Sequence, residues 1–195
     1  MIAQTSPEFM SYLRTFLSLL LGPALTLAVL LPGEGLGKPI YNPHSKSYFE
    51  LRNDLVGNED TWLRAKSAAE RLHYKGERGR LAVVDSLQVH QFLVENFDLT
   101  EETWIGLRFW CKYKKLQWIN GKVHRRDSFN HWDSRWYRYE GSTDANLGWC
   151  RTDATVATGF MPVYYLPKEK GYRWQAVGAA KGFRSYLVEY PTSSE

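Results

Sequence analysis

The chain has 195 residues, 44% of them hydrophobic and 15% aromatic, with eight Trp and 12 Tyr; this supports one globular domain with a proper core plus a short extra segment. The formal net charge is +4. Glu8, Glu34 and Arg14 give residues 1–37 a charge of −1 and leave +5 on the remainder, a balance that suits an acidic partner or an anionic lipid surface and is too weak to argue for nucleic acid.

The first predicted element is the uncharged run "FLSLLLGPALTLAVLL", residues 16–31. With Tyr12 and Leu13 it approaches the roughly 20 apolar residues that span a bilayer. Arg14 can reach the headgroups, and Pro23 is tolerated in a membrane helix. A cleaved signal peptide would need a positive leader and a small-x-small cleavage site. The leader here holds one Arg, and Gly35-x-Gly37 is a poor site, so an uncleaved signal anchor fits better. Charge bias points to a cytoplasmic amino terminus with the following domain outside. Residues 1–37 are therefore read as a transmembrane helix and linker, and 38–195 as a domain.

Within the domain, Tyr48, Phe49 and Leu51 start a short strand. "NEDTWLRAKSAAERLHYKG" predicts a helix, capped by Asn58 or Asp60, with Trp62, Ala65, Ala69 and Leu72 as its apolar stripe and Gly76 at its exit. "RLAVVD" is strand-like. Ser86 caps a second helix that buries Val89, Phe92, Leu93 and Phe97. Strands follow: "TWIGL", then "LQWINGK" with a turn at Asn120-Gly121, and finally "SYLVEY". Helices early and strands late indicate an α+β fold.

These stretches, in order, resemble the C-type lectin-like domain in its bacterial, cysteine-poor branch. "TWLRAKSAAERLHYKGERGRLAVVDS" is similar to the branch's first helix and the segment after it. "WIGL", residues 104–107, matches the family's core motif. "LQWINGK" resembles a W-x-W-x-x-G hairpin with Leu116 at its first Trp, "FNHW" the opening of the long loop, and "SYLVEY" the closing strand. The resemblance implies two helices, antiparallel sheets and a long loop region. Where vertebrate members join first helix and last strand by a disulfide, this chain has Ala69 and Val188, so packing must hold that joint.

The resemblance places a calcium-dependent sugar site in the long loop. Calcium needs several hard oxygen ligands. This chain reads "DSRWYRYEG" at the first ligand position and "WQA", residues 174–176, at the second. Arg135 and Arg138 bring positive charge where a cation should sit. The domain is thus expected to be calcium-independent, without metal or cofactor. Asp133, Glu140, Asp144 and Asp153 are read as solvated loop carboxylates.

No HExxH, GxSxG or phosphate loop occurs, so catalysis is not expected. There are two cysteines, Cys111 and Cys150, and no CxxC motif. They are a candidate disulfide, which the resemblance leaves open because the usual partner of Cys150, after Trp174, is missing.

In "TWIGLRFWCKYKKLQWINGK", residues 103–122, Trp104, Ile105, Leu107 and Trp118 are read as core. Arg108, Phe109, Trp110, Lys112, Tyr113, Lys114 and Lys115 are read as surface. The candidate interaction surface is Trp110 and Tyr113 with Arg135, Trp136, Tyr137, Arg138 and Tyr139 of the loop, since Tyr, Trp and Arg dominate binding hot spots. Trp132 is expected to fold onto the core.

The expectation is a non-catalytic, membrane-anchored lectin-like module on the periplasmic side of a bacterial inner membrane. It would serve a larger membrane complex, respiratory or photosynthetic, as an accessory or stabilising subunit. Anionic headgroups are a further expected contact. Carbohydrate binding, as in an extracytoplasmic adhesin, is the disfavoured alternative.

Overall fold

A computed structural model of the chain describes residues 37–57, 61–133 and 159–192, all within one unit, Gly35–Glu195. Residues 16–31 lie outside them. Among the described residues no helix is long and apolar enough to cross a membrane.

The chain enters through a hairpin of β1 (Ile40–Asn42) and β2 (Ser47–Arg52). Helix α1 (Trp62–Arg71) follows, then a small hairpin of β3 (His73–Tyr74) and β4 (Glu77–Arg78), and β5 (Arg80–Leu81). Helix α2 (Leu87–Asn96) leads into β6 (Thr103–Trp110), β7 (Lys115–Trp118) and β8 (Val123–His124). After the loop come β9 (Phe160–Tyr165), β10 (Trp174–Ala176) and β11 (Ser185–Pro191).

Among the described residues nine strands form one sheet, in which β1-β2-β11-β6-β7-β8 is the main path. β11 lies antiparallel to β2, with Pro191 opposite Ser47, so the two ends of the domain meet. The sheet is mixed, because β11 runs parallel to the start of β6; the expected antiparallel arrangement holds for the other ladders.

Strand alternation divides the core between two faces. Phe49, Ile105, Leu107, Phe109, Trp118, Val163 and Leu187 are buried with α2 residues Val89 and Leu93. Trp104, Phe160, Tyr164, Tyr186, Val188 and Tyr190 are buried with α1 residues Trp62, Ala65 and Ala69. Trp104, Ile105, Leu107 and Trp118 are each at most 1% exposed, as expected for the core. The register between β6 and β9 shifts between Trp104 and Arg108. In that gap the Ile105 carbonyl accepts from Trp62 Nε1 at 2.7 Å. Gly106 donates to Ala82 O and accepts from Ile119 N. A side chain at Gly106 would collide with Leu81 O and Ala82 O at 2.8 and 2.9 Å, so glycine is required there.

Several local expectations change. The N-cap of α1 is Thr61, without a side-chain capping bond; the expected caps Asn58 and Asp60 lie outside the described residues. The helix ends at Arg71, and Gly76 does not terminate it. Lys75 (φ 50°) and Gly76 (φ 87°) form the turn of the β3–β4 hairpin, because positive φ at both central residues matches the twist of paired strands. Ser86 does cap α2, accepting from Val89 N at 3.3 Å. Gly121 (φ 87°) closes the β7–β8 hairpin, donating to Trp118 O.

Candidate interaction surface

Strand β6 delivers alternating side chains past its core motif, then turns back into β7. At the tip Tyr113 is 62% exposed. The ammonium groups of Lys112 and Lys115 each lie 5.6 Å from its ring centre, and Lys114 takes a left-handed conformation (φ 46°) beside it. This tip is a cationic knob around one ring. Trp110, behind it, is half-buried. Its Nε1 donates to Gln117 Oε1 at 2.9 Å, and its ring meets Phe160 edge-on at 5.6 Å. Arg108, on the same face, has its guanidinium 4.3 Å from the Trp110 ring centre. Burial pulls the Arg108 pKa below the usual arginine range.

Phe109 is a correction to the surface reading. It is 8% exposed and packs in the α2-side core. Strand alternation carries it to the side of Ile105 and Leu107.

The base of the long loop joins this face through β10. Trp132 bridges Trp174; Asp133 N donates to Trp174 O, and Trp174 N to His131 O. Trp132 is 4% exposed and meets Trp174 edge-on at 5.6 Å, so it folds onto the core as expected. The Trp174 ring is also approached by Trp118, His124, Phe129 and Tyr165. Gln175 points to the opposite face. Its amide accepts from Tyr164 Oη at 2.8 Å and donates to Asp133 Oδ2 at 2.7 Å. Asp133 is therefore a bonded, partly buried carboxylate rather than a solvated one. Glu140, Asp144 and Asp153 lie outside the described residues.

Sequence reasoning missed a histidine pair next to this base. His90 of α2 is buried, with Nδ1 2.9 Å from Tyr165 Oη. The His131 ring stands 4.3 Å from it, and His131 Nε2 lies 3.1 Å from Gly171 O. Burial, then the neighbouring His131 and Arg173, push the His90 pKa down to about 4. Burial also lowers His131 and His124. The signal was available: His90 follows Val89 on the buried side of the helix.

Among the described residues no three His, Cys, Asp or Glu stand together as a metal-binding group. Cys111 is disulfide-bonded, and its backbone N donates to Gly159 O at 3.0 Å. Cys150 and the loop residues Arg135, Trp136, Tyr137, Arg138 and Tyr139 lie outside the described residues. The structure thus places two of the seven expected surface residues, Trp110 and Tyr113, on one hairpin.

No family model matches the sequence, and no curated protein matches it. Solved structures do. The C-type lectin domain of murine dendritic cell inhibitory receptor 2, in complex with N-glycan, aligns at TM-score 0.55 and 14% identity, over 81% of this chain and 100% of that one. The mouse scavenger receptor C-type lectin carbohydrate-recognition domain gives 0.54 and 15%, over 80% and 99%. The cow CD23 C-type carbohydrate-recognition domain, solved in the presence of GlcNAc2Man3 oligosaccharide, gives 0.51 and 17%, over 76% and 91%.

Proposed function

We propose that this C-type lectin-like fold serves as a non-catalytic, calcium-independent protein-interaction module of the bacterial, cysteine-poor kind. Residues 1–37 anchor it in an inner membrane with the domain in the periplasm. It acts as an accessory subunit of a larger membrane complex, bound through the β6–β7 tip and the loop residues Arg135 to Tyr139. A Cys111–Cys150 disulfide ties that tip to the loop.

The observation that carries the reading is the state of Gln175. It stands on β10, where the resemblance expects calcium ligands. A neutral amide there spends its donor on Asp133 and its acceptor on Tyr164. Calcium needs several free, hard oxygens, and here the Gln175 amide oxygen and one Asp133 oxygen are already engaged within the trio. What the fold offers outward instead is rings and cations, the composition of interface hot spots.

Two experiments test it. Melting curves with excess calcium and with chelator should coincide, and a calcium-dependent rise would overturn calcium independence. Extraction in mild detergent followed by mass spectrometry should find the chain bound to membrane proteins; its recovery alone would overturn the subunit role. The glycan reading draws support from the N-glycan and GlcNAc2Man3 oligosaccharide with which two similar folds were solved. It predicts binding on a sugar array without calcium.

A further inference from the structure

Among the described residues three arginines are partly buried: Arg52, Arg80 and Arg108. The first two show what this chain does with such a group. Arg52 pairs with Glu50 and Asp54, and Arg80 pairs with Glu189 through two nitrogens at 3.2 and 3.0 Å. Arg108 has no hydrogen-bond or ion-pair partner among the described residues; its Nε is shielded from solvent and unbonded. Instead its guanidinium stands 4.3 Å from the Trp110 ring centre, 5.6 Å from Trp62 and 5.8 Å from Phe160.

Stacking uses the face of a guanidinium. Its N–H bonds lie in the plane, and a carboxylate docks there with two parallel bonds. The rings shield the guanidinium from water, and the lower local dielectric strengthens whatever anion arrives. Neither strand neighbour supplies one. Opposite Arg108 on β7 stands Gln117, whose amide is committed to Trp110 Nε1 and Gly121 O. Opposite on β9 stands Pro162.

We infer that Arg108, held on Trp110, is a docking site for the carboxylate of an Asp or Glu side chain on a partner protein. The commitment of both Trp110 Nε1 and the Gln117 amide favours this over an acidic sugar, whose hydroxyls would need polar partners beside the carboxylate. An arginine beside a tryptophan is also hot-spot chemistry. The inference deepens the interaction-module reading and rests on it for the source of the carboxylate.

The test uses the full-length chain in a non-ionic detergent. The probe is N-acetyl-glutamate N-methylamide, with the glutamine analogue, glucuronate and sodium chloride at matched ionic strength as comparisons. The side-chain Nε–H resonance of Arg108 and tryptophan emission are followed. The glutamate probe should give a saturable change in both, which the glutamine analogue and chloride do not. Arg108→Met should abolish the emission change. Arg108→Lys, which keeps the charge and loses the fork, should weaken binding about tenfold. Absence of a saturable change in folded protein, or an equal response to the glutamine analogue, would overturn the site. Tighter binding of glucuronate would overturn the assignment to a protein side chain. If the glutamate probe binds at Arg108 while no membrane protein co-purifies, the site stands and the complex-subunit reading fails.

Discussion

The Trp62 indole N–H of α1 donates to the Ile105 carbonyl of β6 at 2.7 Å, with both residues fully buried. The bond fills the gap left where β6 slips register against β9. Trp62→Phe keeps a ring but leaves that carbonyl without a donor. A buried unsatisfied acceptor costs about 1–3 kcal/mol. The urea midpoint should fall while the slope holds; an unchanged midpoint would remove this bond from the account of the fold.

The joint between first helix and last strand closes around Gly79. A methyl group there would stand 2.5 Å from Ala69 O and 3.0 Å from Val188 Cγ1. Gly79→Ala and Ala69→Leu should each destabilise by about 1–3 kcal/mol through overpacking. Because both crowd one place, the double variant should lose less than the sum. Thermal unfolding of the three variants measures this, and strict additivity would show that the lesions are independent.

Much of this fold was legible because local chemistry and final placement agree. "WIGL" and Trp118 read as core, and Ser86 read as a cap, since each signal is carried by the residue itself. What stayed hidden depends on partners. Gly76 fits a helix exit as well as a hairpin turn; only the pairing of His73 with Arg78 decides between them. Asp133 reads as a solvated loop acid until Gln175, 42 residues away, donates to it. Phe109 was readable by period two from Ile105 and Leu107, yet the surrounding cations drew it into a surface reading. Arg108 shows the reverse limit: sequence places it among cations, but the three rings around it come from α1, β6 and β9.

Acid should weaken the domain. His90 has a folded pKa of about 4, pushed down by burial, then by His131 and Arg173, against an ordinary value near 6.5. The unfolded chain therefore binds the proton first. Stability is complete above about pH 6.5, falls as pH drops, and stops falling for this group below about 4. The full shift corresponds to about 3 kcal/mol, and His131 and His124 act in the same direction. Melting temperature should decline between pH 6.5 and 4. His90→Gln, which cannot titrate, should lower stability at pH 7 and flatten that decline; an unaltered pH profile would remove His90 as its source.

Trp132 and Tyr113 separate support from contact. Both are large aromatics near the candidate surface, yet one is 4% exposed against the Trp174 ring and the other is 62% exposed at a hairpin tip. Trp132→Ala removes a buried ring and should cost about 3–5 kcal/mol of stability. Tyr113→Ala should change stability by no more than about 0.5 kcal/mol. Binding reverses the order of interest. If the tip and the loop grip a partner, Tyr113→Ala and the pair Trp136→Ala with Tyr137→Ala should each weaken the full-length complex by roughly 2 kcal/mol while leaving the melt intact. If residues 1–37 tether the domain to a membrane, deleting them should weaken it further, because a tether supplies the second contact at high effective concentration. Detergent-resistant co-purification, read beside thermal melts of the same variants, makes the comparison. A Tyr113 variant that melts normally and keeps its partner would move the contact away from the hairpin tip.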